Sequence, residues 1–157
     1  MCLILFAYKV HPRYPLILIA NRDEHYDRPT QSLHWWAQEQ GILAGRDLES
    51  GGTWMGVNRI GRIAAVTNVR NGIPTPGHFK SRGELTAAYL TNQQGDHPFA
   101  EELKASALSY RGYNLLFGSI IRLFYFSNLK GKLEEIQPGI HGLSNAEFNT
   151  PWPKVTR

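Results

Sequence analysis

A single cysteine, Cys2, among 157 residues rules out an internal disulfide framework and suits a reducing compartment. No lysine and arginine cluster stands anywhere along the chain and the formal net charge is only +4, so nucleic acid is not the expected partner. No apolar run reaches the roughly 18–20 residues that a membrane-spanning helix needs. The apolar start, MCLILFAYKVHPRYPLILIANRDE, lacks a basic leading region and is interrupted by His11-Pro12-Arg13, unlike a secretory signal. Histidines 11, 25, 34, 78, 97 and 141 include no pair at metal-ligand spacing, and surface or structural roles are expected for them. Gly51-Gly52-Thr53 lacks the Lys-Ser/Thr sequel of a phosphate loop. These absences leave a cytoplasmic protein with no metal, no cofactor and no integral membrane segment as the expectation.

What is present fits one globular domain over residues 1–157, with 42% hydrophobic and 19% charged residues, proportions that carry no sign of disorder. Residues 2–9 and 16–21 are nearly unbroken apolar runs of strand length. Continuous rather than alternating apolar character predicts strands covered on both faces. The Pro-containing turn between them predicts an antiparallel hairpin. A second hairpin is predicted from residues 53–58 and 62–68, turned at Arg59-Ile60-Gly61. Residues 25–51 read as loop-rich, with Trp35-Trp36 packing a surface segment onto the body, and residues 70–80 read as a loop from their Gly and Pro content.

Ser81-Arg82-Gly83-Glu84 has the spacing of a helix capping box, followed by Leu85, Ala88 and Tyr89 at helical spacing. A second helix is expected from Asp96-His97-Pro98, with Phe99, Leu103, Ala107 and Tyr110 on one face and Gly112 as its stop. Residues 113–117, 123–126 and 139–145 return to strand character. Strands, then helices, then strands predict an α+β layered sandwich rather than a doubly wound parallel sheet.

Three features could carry chemistry. Removal of the initiator methionine from before Cys2 would place a thiol and an α-amine on one residue. An α-amine with a reference pKa of about 7.7–8.0 can accept the proton of its own thiol; the plainer reading of Cys2 is a small buried strand residue. Asn21-Arg22-Asp23-Glu24 closes the second apolar run, and the hairpin would carry Arg22 or Asp23 towards Cys2. A carboxylate there would hold the amine, whereas a guanidinium would favour the thiolate; polar residues simply meeting solvent at a strand end are the alternative. Asn68 and Asn145 both sit where short strands end, as neutral amide donors suited to an oxyanion or as turn caps.

Read together, MCLILFAY, IANRDEHYDRPT, LAGRDLESGGTWMGVN, AAVTNVRN, SRGEL, YNLLFG, FYFSN and PGIHGLSNAEFNTPWPKV resemble the family named for its Asn-Arg-Asp-Glu motif over the whole chain. That family includes the transport and Golgi organisation 2 proteins of eukaryotes, and it is similar to the choloylglycine hydrolase and penicillin V acylase group of N-terminal-nucleophile hydrolases. The resemblance implies an αββα sandwich of antiparallel sheets, incomplete at the C-terminus, because such relatives continue beyond TPWPKV. It implies Cys2 as nucleophile, Asp23 at the terminal amine, and Asn68 and Asn145 at the oxyanion. Arg22 does not align with the arginine of that group and stands as the candidate substrate-binding residue. The implied activity is hydrolysis of an amide bond in a small molecule. The alternative is a non-catalytic binder or carrier of a hydrophobic ligand in membrane traffic, lipid or haem handling. A sandwich without its closing strands would expose sheet edges and favour self-association.

Overall fold

The computed structural model describes residues 2–37, 41–69 and 77–151. The first hairpin forms as its apolar runs require. Strands β1 (Leu3–Tyr8) and β2 (Leu16–Asn21) are antiparallel, with Leu3 opposite Asn21 and Tyr8 opposite Leu16. The turn is held by Lys9 N–H on the Pro15 carbonyl at 2.7 Å and by the His11 Nδ1 acceptor for the N–H groups of Arg13 and Tyr14. Burial on both faces, however, is not what these strands show. β1 alternates, with Ile4, Phe6 and Tyr8 inward, and β2 leaves Ile17 and Ile19 40% and 65% exposed. Their apolar continuity therefore reflects one covered face and one open one. A short strand near the end of the chain, Gly139–Leu143, pairs with the other side of β1, Ile4 opposite Leu143, to complete a three-stranded sheet.

The second sheet has seven antiparallel strands in chain order: β3 (Thr30–Trp35), β4 (Ile42–Asp47), β5 (Met55–Asn58), β6 (Arg62–Asn68), β7 (Tyr113–Ser119), β8 (Leu123–Ser127) and β9 (Lys132–Glu135); the Gly139–Leu143 strand is β10. Along β6, β7 and β8 nearly every side chain is buried, as strands covered on both faces must be. Because successive side chains point to opposite faces, Ala64 and Val66 join one core and Ile63 and Ala65 the other. The first core lies under helices α1 (Gly83–Thr91) and α2 (Asp96–Ala105), whose Leu85, Tyr89, Phe99 and Leu103 meet Leu115, Phe117 and Phe124. The second lies between the sheets, where Ile4, Phe6 and Tyr8 meet Leu116, Leu123 and Tyr125.

The architecture is thus α+β, layered helix, sheet, sheet. A second helical layer over the outside of the three-stranded sheet, which an αββα sandwich requires, is not supplied by the described residues. Ile140 on that face is 82% exposed. No helix among the described residues is long and apolar enough to cross a membrane.

Three local expectations are corrected. Residues 25–51 contain β3 and β4. The sequence of β3, TQSLHW, is mostly exposed at the sheet's end, so it lacks the apolar pattern by which strands are recognised. Charged β9, KLEE, hides for the same reason at the opposite end. No capping box forms at α1. Arg82 is the N-cap residue with helical φ and ψ, no side chain caps the helix, and the Glu84 carboxylate instead accepts the Tyr110 hydroxyl. The second helix stops at Ala105, and a 3-10 turn over Ala107–Ser109 leads towards Gly112. Of the expected loop at 70–80, residues 70–76 lie outside the described residues.

Phe117 is the hub of the helix-side core: fully buried, it packs edge-on against Tyr89 and Phe99 and stacks on Phe124. Phe117→Ala should lower the unfolding free energy by about 3–5 kcal/mol, read from the shift of the urea midpoint.

Candidate functional site

The hairpin register decides where the site forms. With Leu3 opposite Asn21, one further step outward sets Cys2 beside Arg22 at the same end of the three-stranded sheet. β6 ends at Asn68 at this end as well, and a cleft of about 660 Å³ opens there. Its walls include Cys2, Arg22, Asp23 and Asn68, the turn after β4, and residues 77–83 leading into α1. Four of the five residues singled out from the sequence are therefore brought to one cavity.

Asn145 is placed differently. It is 2% exposed and does not line the cleft; its Nδ2 donates to the Asn68 carbonyl at 2.8 Å, while its buried Oδ1 has no hydrogen-bond partner. Cys2 is half-buried, and its carbonyl accepts the Ser144 hydroxyl at 2.9 Å. Behind that contact runs a buried file of polar groups. Thr67 Oγ1 donates to the Ser144 carbonyl at 2.7 Å, Asn114 Nδ2 reaches Thr67 Oγ1 at 3.3 Å and the Ala146 carbonyl at 2.7 Å, and the Tyr125 hydroxyl donates to Asn114 Oδ1 at 2.7 Å.

The electrostatics of the cleft divide it into two walls. On the first, Arg28 Nε donates to Asp47 at 2.7 Å and its Nη1 pairs with Glu49 at 3.2 Å, while Arg22 Nη2 lies 3.4 Å from Glu24 and 4.0 Å from Asp47. Burial pushes the Asp47 carboxyl upward, but the Arg28 bond and the N–H groups of Ser50 and Glu49 outweigh it, and the net direction is below the ordinary carboxylate value. Asp23 Oδ1 accepts the Asn21 amide at 3.0 Å, which orients it at the strand end. On the second wall stand Arg82 and Arg111. The sequence marks neither: Arg82 falls at the second position of a capping-box spacing, and Arg111 stands in no motif.

Arg82 reaches the cleft through a close backbone approach. Thr53 N–H bonds the Gly83 carbonyl at 3.2 Å, and a Cβ built on Gly52 would lie 2.5 Å from the Gly83 carbonyl carbon. Only glycine at position 52 lets the start of α1 come this near. The histidines mostly serve structure. His141 engages the Gln137 carbonyl and the Asn149 amide through its two nitrogens, and His97 packs edge-on against Phe124. His78 lines the cleft.

The model of the family described as Transport and Golgi organisation 2 matches residues 1–157. The chain belongs to that family. It is 35% identical over 170 residues to the Transport and Golgi organization protein 2 homolog of Bos taurus, a match covering 99% of this chain and 60% of that protein. It is 34% identical over 169 residues to the Homo sapiens homolog, covering 99% and 60%. Against Transport and Golgi organization protein 2 of Drosophila melanogaster it is 32% identical over 174 residues, covering 99% and 61%. The chain thus spans about three fifths of the length of these family members.

Within this family member, Asp47 fixes the neutralised wall of the cleft. Its folded-state pKa lies below the ordinary value of 3.8. Its contribution to stability is therefore complete above that value and fades as pH falls through the lower folded one. Asp47→Asn should be less stable at neutral pH and lose part of the decline in stability below about pH 4, measured by urea unfolding across an acid series. An unchanged acid limb would show that Asp47 is not a principal acid-sensitive group.

Proposed function

We propose that the chain is a hydrolase of amide bonds in small molecules, acting through Cys2 as an N-terminal nucleophile. Removal of Met1 frees the Cys2 α-amine, which takes the thiol proton as Sγ attacks the carbonyl carbon. The oxyanion that forms accepts a hydrogen bond from the Asn68 amide. The protonated amine returns its proton to the departing nitrogen, leaving an acyl thioester. Water, deprotonated by the same amine, then releases the acid and restores the thiol. Asp23 orients the amine, Arg22 contacts the substrate, and Asn145 acts on the oxyanion through the strand end that carries Asn68. The observation that carries this reading is the meeting of Cys2, Asp23 and Asn68 in one cleft from three separate strand ends.

A second reading is a non-catalytic binder serving membrane traffic, supported by the words transport and Golgi organisation in the relatives' names. The character of the cleft weighs against an entirely apolar ligand such as a lipid tail or a haem face. Charged side chains from both walls, among them Arg28, Asp47, Glu49 and Arg82, face the space such a ligand would fill.

Alkylation separates the two readings. Iodoacetamide at pH 7 should label Cys2 stoichiometrically and faster than it labels free cysteine, and Asp23→Asn should slow the reaction. Labelling no faster than that of free cysteine would leave the hydrolase without its nucleophile, since the chain holds no other cysteine.

Self-association of this chain belongs to the same proposal. β2 is the outermost strand of its sheet, carries no charged residue from Leu16 to Asn21, and exposes Ile17 and Ile19. Such an edge is a template for a second copy. Light scattering should report a species larger than the monomer, and Ile19→Lys should return it to the monomer; a monomeric wild type at high concentration would count against this.

A further inference from the structure

Among the described residues, Asp47, Glu49 and Glu24 are engaged on one wall of the cleft. Asp47 and Glu49 are paired with Arg28, and Glu24 lies within 3.4 Å of Arg22. Across the cavity, neither Arg82 nor Arg111 has a carboxylate in ion-pair range among the described residues. Arg82 Nη1 donates to the Gly112 carbonyl at 3.3 Å, and the Arg111 guanidinium lies over the Phe79 ring at 5.5 Å. Both contacts fix a direction without neutralising a charge. Lys80, by contrast, is 62% exposed and stands 3.9 Å from Glu84.

The energetic state of Arg82 agrees with this geometry. Burial is the largest influence and pushes its pKa below the usual guanidinium range. Arg111 and, more weakly, Arg28 push the same way, and Glu24 and Cys2 oppose them. A guanidinium remains charged at neutral pH whatever its surroundings. A partly desolvated cation beside a second cation, with no carboxylate in ion-pair range among the described residues, gains more from an incoming anion than a solvated surface arginine does.

We propose that Arg82 and Arg111 form an anion-anchoring subsite of the Cys2 cleft, which takes a carboxylate or phosphate group of the ligand. The inference rests on the reading that this cleft is the ligand site, and it narrows the substrate class to amides that also carry an acid group. Planar guanidinium forks match the oxygens of either acid. On the opposite wall Arg28 is already paired with Asp47 and Glu49, and Arg22 with Glu24, which makes those two guanidinium groups weaker competitors for a negative charge. The acid group therefore docks on the α1 side, with the rest of the ligand lying along the cleft towards Cys2.

Paired alkylating agents test this on the full chain. Iodoacetate is an anion, iodoacetamide its neutral counterpart, and the ratio of their rates on Cys2 reports the local potential. The ratio should exceed that of the urea-unfolded chain by roughly fivefold, as one guanidinium several ångströms away supplies at an intermediate dielectric. It should fall several-fold in Arg82→Gln and in Arg111→Gln, persist in Arg82→Lys, and shrink with added salt. Circular dichroism would establish that each variant is folded; Arg111→Gln serves where Arg82→Gln is not. In parallel, phosphate and acetate are titrated against chloride at matched ionic strength. At least one should raise Tm in the wild type and lose that effect in the two Gln variants. A response to phosphate alone assigns a phosphate ester, and a response to acetate assigns a carboxylate. A ratio equal to that of the unfolded chain, with no anion effect on Tm, would overturn the subsite. Slow alkylation by both agents with the anion response intact would instead overturn the hydrolase reading and leave the subsite standing.

Discussion

A buried file of hydrogen bonds from Tyr125 through Asn114, Thr67 and Ser144 to the Cys2 carbonyl crosses from one sheet to the other, and the site depends on it. Thr67 and Asn114 are fully buried and Ser144 nearly so. Each of these groups, left without its partner, would cost about 1–3 kcal/mol. The two sheets must therefore dock in the one register that satisfies the file, whereas apolar contacts alone tolerate sliding. Cys2 precedes the first residue of β1, where a chain would ordinarily fray. The Ser144 hydroxyl converts that terminus into a fixed point at the cleft.

Much of the fold was legible because apolar runs and turn residues state it directly. The LILFAY and LILIAN hairpin, the β5–β6 hairpin, both helices and β7, β8 and β10 all carry such patterns. What was missed includes β4, an interior strand whose short run Ile42–Ala44 gives way to Gly45-Arg46-Asp47, and both margins of the large sheet. β3 and β9 end the sheet on either side, so burial does not select their side chains and their sequences read as polar loop. The two-faced burial expected of β1 and β2 failed because an apolar run does not say what covers it. The motif at the end of β2 lies on the cleft, where the hairpin register carries Arg22 and Asp23. The place of Arg82 on the cleft is not legible in the sequence, because it follows from the Gly52–Gly83 approach, a contact between segments that no local spacing encodes.

The cleft segregates its charge. Arg22 and Arg28 are answered by Glu24, Asp47 and Glu49, and that cluster holds the chain after β2 against the turn after β4. Asp47 also accepts two backbone N–H groups of its own turn, so its carboxylate is occupied in building the wall. Ion pairs of this exposure add modestly to stability, but they remove the need for a ligand to neutralise the wall. On the opposite wall, among the described residues, only exposed Lys80 has a carboxylate in ion-pair range, Glu84, and Arg82 and Arg111 have none. Under the proposed subsite, an acid-bearing ligand would be drawn to the Arg82 and Arg111 side of the cleft, which would orient it relative to Cys2.

Orientation of the remaining donor follows from how β6 ends. Thr67 gives its hydroxyl to the Ser144 carbonyl, and Asn145 gives its amide to the Asn68 carbonyl, so each strand end lends a side chain to the other's backbone. One residue further on, Val69 N–H bonds the Gly112 carbonyl at 2.9 Å, the same carbonyl that receives Arg82. Asn68 is thus held from both sides by backbone ties. The place of Asn68 on the cleft wall is thereby tied to both sheets. Asn145, whose Oδ1 stays buried without a partner, contributes by fixing that strand end, a role that requires it to sit behind the wall and not on it.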